Sequence, residues 1–197
     1  MYVRKKRLSL VIILAALISL QLCLSAGNTF AAGDSDIYFK DYNDGNVSGW
    51  TAAKGTTAFT ADSGAVKAVT QGAVILADME SPQVANGDYE VKLKFNQVPT
   101  RFGLVFRYID KDNYNVIQFD TNSWGWDALK NGVETYGNIQ STPPTLVAGK
   151  QYAFKLHYEK DSVQLLIDNT SVFTTSLPGI STSAGRSGCA AGMTTRP

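Results

Sequence analysis

The chain has 197 residues, 44% of them apolar and 18% charged, with one histidine, two cysteines and a formal net charge of +1. Four basic residues, Arg4, Lys5, Lys6 and Arg7, fall in the first seven positions, and the rest of the chain holds fourteen basic against seventeen acidic residues, a net charge of −3. Mild acidity gives no electrostatic footprint for nucleic acid or an anionic membrane. A single histidine and no second cysteine beside Cys189 after Cys23 leave little for a Ser-His-Asp triad or a thiolate zinc site.

In chain order, the basic start is followed by an apolar run from Leu8 to Leu24 and by small residues ending in Ala31-Ala32-Gly33. This is the pattern of a secretory signal peptide spanning 1–32, cleaved near Ala31 or Ala32. The alternative is a retained anchor, because the run approaches the shortest length that spans a bilayer. Leu22 is too bulky for the residue before a lipoprotein cysteine, so Cys23 leaves with the signal. The mature segment, 33–186, is one domain of strand after strand. The spacing predicts strands at 36–41, 56–61, 64–69, 73–78, 87–95, 102–109, 113–120, 152–158, 163–167 and 171–175. In Gly87–Phe95, Tyr89, Val91, Leu93 and Phe95 face one way and Glu90, Lys92 and Lys94 the other. Tyr152, Phe154, Leu156 and Tyr158 repeat this, as do Val163, Leu165 and Ile167, and period-two alternation marks a strand with one buried face. Turns at Asp44-Gly45, Ser63-Gly64, Asn86-Gly87, Asn131-Gly132 and Asp168-Asn169 separate them. With no helical periodicity, the expected fold is all-β, a two-sheet antiparallel jelly-roll sandwich.

Three segments carry a family resemblance. Asp41–Trp50, Gly103–Tyr108 with Asp110, Asp112, Asn113 and Tyr114, and Val147–Tyr152 running to Asp168-Asn169 resemble, in order and spacing, the laminin G-like modules of bacterial carbohydrate-active enzymes, within the concanavalin A-like superfamily. The likeness covers about 36–186 and implies a concanavalin A-like jelly roll. Such modules usually close with a further strand, whereas Ser187–Pro197 shows no strand pattern. One set of synonymous codons for those residues, read two bases later, encodes the usual continuation Gly-Leu-Arg-Gly-Trp. The expectation is therefore a displaced frame from about Arg186, an irregular tail at 187–197 and a jelly roll lacking its last strand.

Sugar recognition needs flat apolar faces for ring C–H groups and planar polar groups for hydroxyls. Asp120, Asn122, Trp124, Trp126 and Asp127 supply both within eight residues, and in an extended segment Trp124 and Trp126, two apart, share a face. The competing reading makes those tryptophans core residues, where tryptophan usually packs. Arg107 alternates out of phase with Phe102, Leu104, Phe106 and Tyr108, which places it on the outer surface as a ligand fork or as an ion-pair partner of Asp120. Gln118 and Asp120 share a strand face and line the same surface. Tyr136 and Arg101 are loop-borne candidates of lower rank. Asp110 and Asp112 are candidate calcium ligands, although Asp-Asn turns are common hairpin chemistry; no other cofactor is expected.

The enzyme reading lacks its motif: no Glu-x-Asp-x-Glu or Glu-x-Asp-x-x-Glu run occurs, as the paired carboxylates of β-glucanases of similar fold require, because Glu159-Lys160-Asp161 is followed by Val163 and Gln164. His157 is expected at the surface. The sequence thus points to a secreted, non-catalytic carbohydrate-binding module, derived from a larger glycoside hydrolase, with a polysaccharide or glycan as partner and no membrane contact after signal cleavage. The alternatives are a hydrolase using Asp120, Asp127 and Glu134, and an extracellular adhesion domain.

Overall fold

A computed structural model describes residues 40–96, 101–120 and 123–191; the expected signal peptide, most of the strand expected at 36–41, and residues 192–197 of the tail lie outside them. The described part holds eleven strands: β1 (Trp50–Asp62), β2 (Ala65–Asp78), β3 (Gly87–Lys94), β4 (Arg101–Asp110), β5 (Asn113–Asp120), β6 (Ser123–Lys130), β7 (Val133–Ile139), β8 (Gln151–Glu159), β9 (Ser162–Ile167), β10 (Thr170–Ser176) and β11 (Arg186–Ala191). They form a seven-stranded antiparallel sheet, β1-β2-β11-β4-β5-β6-β7, and a four-stranded sheet, β10-β9-β8-β3.

The local causes are those of tight hairpins. Ser63-Gly64, Asn131-Gly132 and Asp168-Asn169 each turn with both residues at positive φ, the backbone twist that joins antiparallel strands through two residues. The alternation then selects the buried face. Tyr152, Phe154, Leu156 and Tyr158 of β8 and Val163, Leu165 and Ile167 of β9 are buried. They pack against Phe102, Leu104 and Phe106 of β4, Ile117 and Phe119 of β5, and Trp124, Trp126 and Ala128 of β6. Aromatic contacts tie the layers, with ring centroids 4.9 Å apart for Phe102–Phe119 and 5.2 Å for Phe102–Phe154.

The structure corrects the sequence reading in four places. The strands expected at 64–69 and 73–78 are one strand, β2, in which the Gln71-Gly72 interval is absorbed by register shifts against β1 and does not turn the chain. β6 and β7 were not among the expected strands. Both flank the Asn131-Gly132 hairpin, and β7 is exposed along most of its length, so no apolar alternation announces it. The tail at 187–197 is not irregular throughout: Arg186–Ala191 is β11, paired with β2 on one side and β4 on the other. Its small residues hide the strand from pattern reading, yet suit the middle of a sheet, since a Cβ on Gly188 would stand 2.0 Å from the Leu76 carbonyl oxygen. The described large sheet is therefore filled where a missing strand was expected.

The fourth correction lies in β4. Arg107 sits at φ 52, and the β4–β5 register shifts between Phe106 and Asp110. This bulge breaks the alternation. Tyr108 joins Ile75, Ala77, Val105, Tyr114, Val116 and Ala190 in a second buried cluster, on the face of the large sheet away from the sandwich core.

Candidate functional site

That outer face becomes polar toward β5, β6 and β7. Strand register builds it in rows: Gln118 opposite Gly125 and Asn138, Val116 opposite Asp127 and Tyr136, and Asp120 opposite Ser123 and Arg101. Residues paired across a ladder share a face, so side chains from three strands converge although they are scattered over 101–138. Gln118, Asp127, Tyr136 and Asn138, with Gly125, Trp126 and Gly137, line a shallow depression partly open to solvent. Gly125, opposite Gln118, adds no side chain to its floor.

The chemistry of the depression is that of an acceptor. Gln118 is buried and its Nε2 donates to a carboxylate oxygen of Asp127, while its Oε1 has no partner among the described residues. Asn138 is exposed, and Tyr136 is 51% exposed, a phenol ring beside the carboxylate. Arg101 pairs with Asp120 at 3.4 Å. Burial first, then the Asp127 and Glu134 carboxylates, push the Tyr114 hydroxyl up to about 12.

Of the residues expected in a site, Gln118, Asp120 and Asp127 are brought together. Trp124 and Trp126 do share a face, but it is the core face, where they are 1% and 6% exposed. Trp124 packs on Phe119 and Phe173 at 5.1 and 5.6 Å, and Trp126 lies over Gly137, where a Cβ would meet its Nε1 at 2.7 Å. Trp124 has no surface to offer a ligand, and Trp126, which borders the depression, has little. Arg107 is likewise absent from the outer face. The bulge turns it inward at 0% exposure, where Nε donates to the Ala85 carbonyl at 2.7 Å and an Nη to the Ser181 carbonyl at 2.9 Å. Asn122 lies outside the described residues.

Asp110 and Asp112 are in the β4–β5 turn. Asp110 accepts from the Asp112 amide at 2.8 Å and the Asn113 side chain at 2.9 Å, and the Asn113 bond holds its carboxyl below the usual value. Asp112 pairs with Lys111 at 2.6 Å. No group of three or more residues able to hold a metal occurs among the described residues. His157 is on the surface of β8, 2.6 Å from Asp88.

Sequence reasoning ranked Tyr136 low as a loop residue and missed Asn138. Both are strand residues of β7, and the signal that could have found them is the Asn131-Gly132 hairpin with the run Val133–Ile139 behind it.

With this geometry in place, solved structures supply the fold's relatives. The carbohydrate-binding module CBM66 from Bacillus subtilis superposes with a TM-score of 0.54 at 21% identity, over 72% of this chain and 86% of that one. A candidate glycosyl hydrolase from Parabacteroides distasonis gives 0.51 at 14% identity, over 77% and 86%. The fold is a concanavalin A-like jelly roll. No family model matches the chain, and no curated protein does; at these identities the likeness is one of fold.

Proposed function

We propose that this chain is a secreted, non-catalytic carbohydrate-binding module whose site is the depression on the outer face of β5, β6 and β7. The observation that carries the reading is the half-exposed Tyr136 ring beside the Gln118–Asp127 pair and Asn138. An aromatic face suits the C–H side of a sugar ring, and planar amides and a carboxylate suit its hydroxyl pairs. The B. subtilis structure of similar fold is named a carbohydrate-binding module, which supports the class and leaves the sugar open.

Affinity gel electrophoresis against polysaccharides tests it. Tyr136→Ala is expected to weaken retardation at least tenfold with an unchanged unfolding midpoint, and undiminished retardation overturns the placement. The hydrolase reading keeps one specific support, the two carboxylates Asp127 and Glu134 near the Tyr114 hydroxyl. Reducing-sugar release by purified protein, lost in Asp127→Asn, would replace the non-catalytic reading. Export rests on the signal pattern at 1–32 and is checked by the N-terminus of protein recovered from the medium. A displaced frame after Arg186 would make the chain the leading part of a larger glycan-degrading enzyme, which resequencing across that codon decides.

A further inference from the structure

Resting on that reading and deepening it, we propose that the depression selects uncharged sugars and rejects carboxylated ones. The first argument is hydrogen-bond polarity. The Gln118 amide is committed as donor to Asp127, and this leaves its buried Oε1 as an acceptor without a partner among the described residues. A carboxylate has no proton to give. The Asp127 carboxylate beside Tyr136 therefore takes O–H donors from a ligand, which a neutral sugar offers at C6 and an ionised uronate does not, while the Asn138 amide can serve either way.

The second argument is charge. Asp127, Asp120 and Glu134 lie on this face by register, while the cation in the same rows, Arg101, is drawn 3.4 Å from Asp120. A second carboxylate brought beside Asp127 meets like charge at short range in a partly desolvated setting, where repulsion is strong. Closely placed like charge is how binding sites exclude a competitor of the same shape.

The test uses matched polymers that differ only in charge: soluble glucan, mannan and fructan, each beside a partner oxidised to carboxylate at its primary hydroxyls. Retardation of the full chain in gels containing each polymer gives the affinities. A neutral polymer is expected to bind at least tenfold more tightly than its oxidised partner. Asp127→Asn, which keeps an acceptor for Gln118, and Glu134→Gln, at an exposed position, are each expected to narrow that gap severalfold. Salt at about 0.5 M is expected to narrow it too. Equal or tighter binding of the oxidised polymer, or a gap unchanged in both variants, overturns the selectivity while leaving sugar binding standing. No retardation by any polymer, or retardation indifferent to Tyr136→Ala, overturns the binding reading and the selectivity with it.

Discussion

Arg107 and Trp124 show how a residue type suited to ligand contact is spent on the core. The Arg107 guanidinium is held by two backbone carbonyls and by the faces of Phe106 and Tyr158, 5.6 and 5.0 Å from the ring centroids. Those partners are neutral, and burial lowers its pKa from the ordinary value. It joins β4 to the segments carrying Ala85 and Ser181. Arg107→Ala removes both bonds and leaves a void, so a loss of about 3 kcal/mol or more is expected in urea unfolding. Arg107→Lys keeps the charge without the fork and should recover only part of it. The tryptophans and Tyr136 separate in the same assay. Trp124→Ala is expected to cost about 3–5 kcal/mol, whereas Tyr136→Ala, at the surface, should stay within about 0.5 kcal/mol. A small effect at Trp124 would show that its ring does not belong to the core.

Among the elements, β11 is the one whose sequence least resembles its role. A strand wedged between β2 and β4 needs small side chains more than apolar ones, and Ser187, Gly188, Cys189 and Ala190 provide them. The ideal Cβ of an alanine at 188 would lie 2.0 Å from the Leu76 carbonyl oxygen and 2.9 Å from the Ala77 Cα, both backbone atoms that cannot swing aside. Gly188→Ala is therefore expected to destabilise the fold by about 3 kcal/mol or more, in the range of severe core substitutions. Gly149 is the control. It has φ +78 and nothing within 4 Å of an added Cβ, so Gly149→Ala carries only the left-handed backbone strain of about 1–2 kcal/mol. Equal unfolding midpoints for the two variants would mean that β11 does not occupy the centre of the sheet.

At the scale of the whole molecule, stability should fall at both ends of the pH range. Partial burial would raise the Asp88 carboxyl, but hydrogen bonds from Lys155 and His157 outweigh it and hold the group below its ordinary 3.8. Its contribution is present above that value and is lost as pH falls through the folded one. On the alkaline side, burial pushes the Cys189 thiol from 9.0 up to about 11 and contributes most to the rise of Tyr114 from 10.0 to about 12. Groups raised in the fold stabilise it below their unfolded values and lose that contribution as pH climbs through the folded ones. The unfolding midpoint is thus expected to decline from about pH 9 upward, and Cys189→Ala to soften the onset between about 9 and 11. A midpoint constant to pH 11 overturns this account. The sequence by itself determined the strands that carry apolar alternation, the two-residue turns between them and the all-β class, because period two and turn chemistry are local properties of the chain. It also placed Gln118 and Asp120 on one face correctly. What only the tertiary structure decided was which face is which. Both tryptophans share a face, and nothing local says that it is the inner one. Arg107 keeps its outward phase until a bulge, set by pairing with β5 and β11, turns it in. Tyr136 and Asn138 reach Gln118 only through the ladder from β5 to β7. β11 exists as a strand because two neighbours supply the hydrogen bonds, with no hydrophobic pattern to announce it.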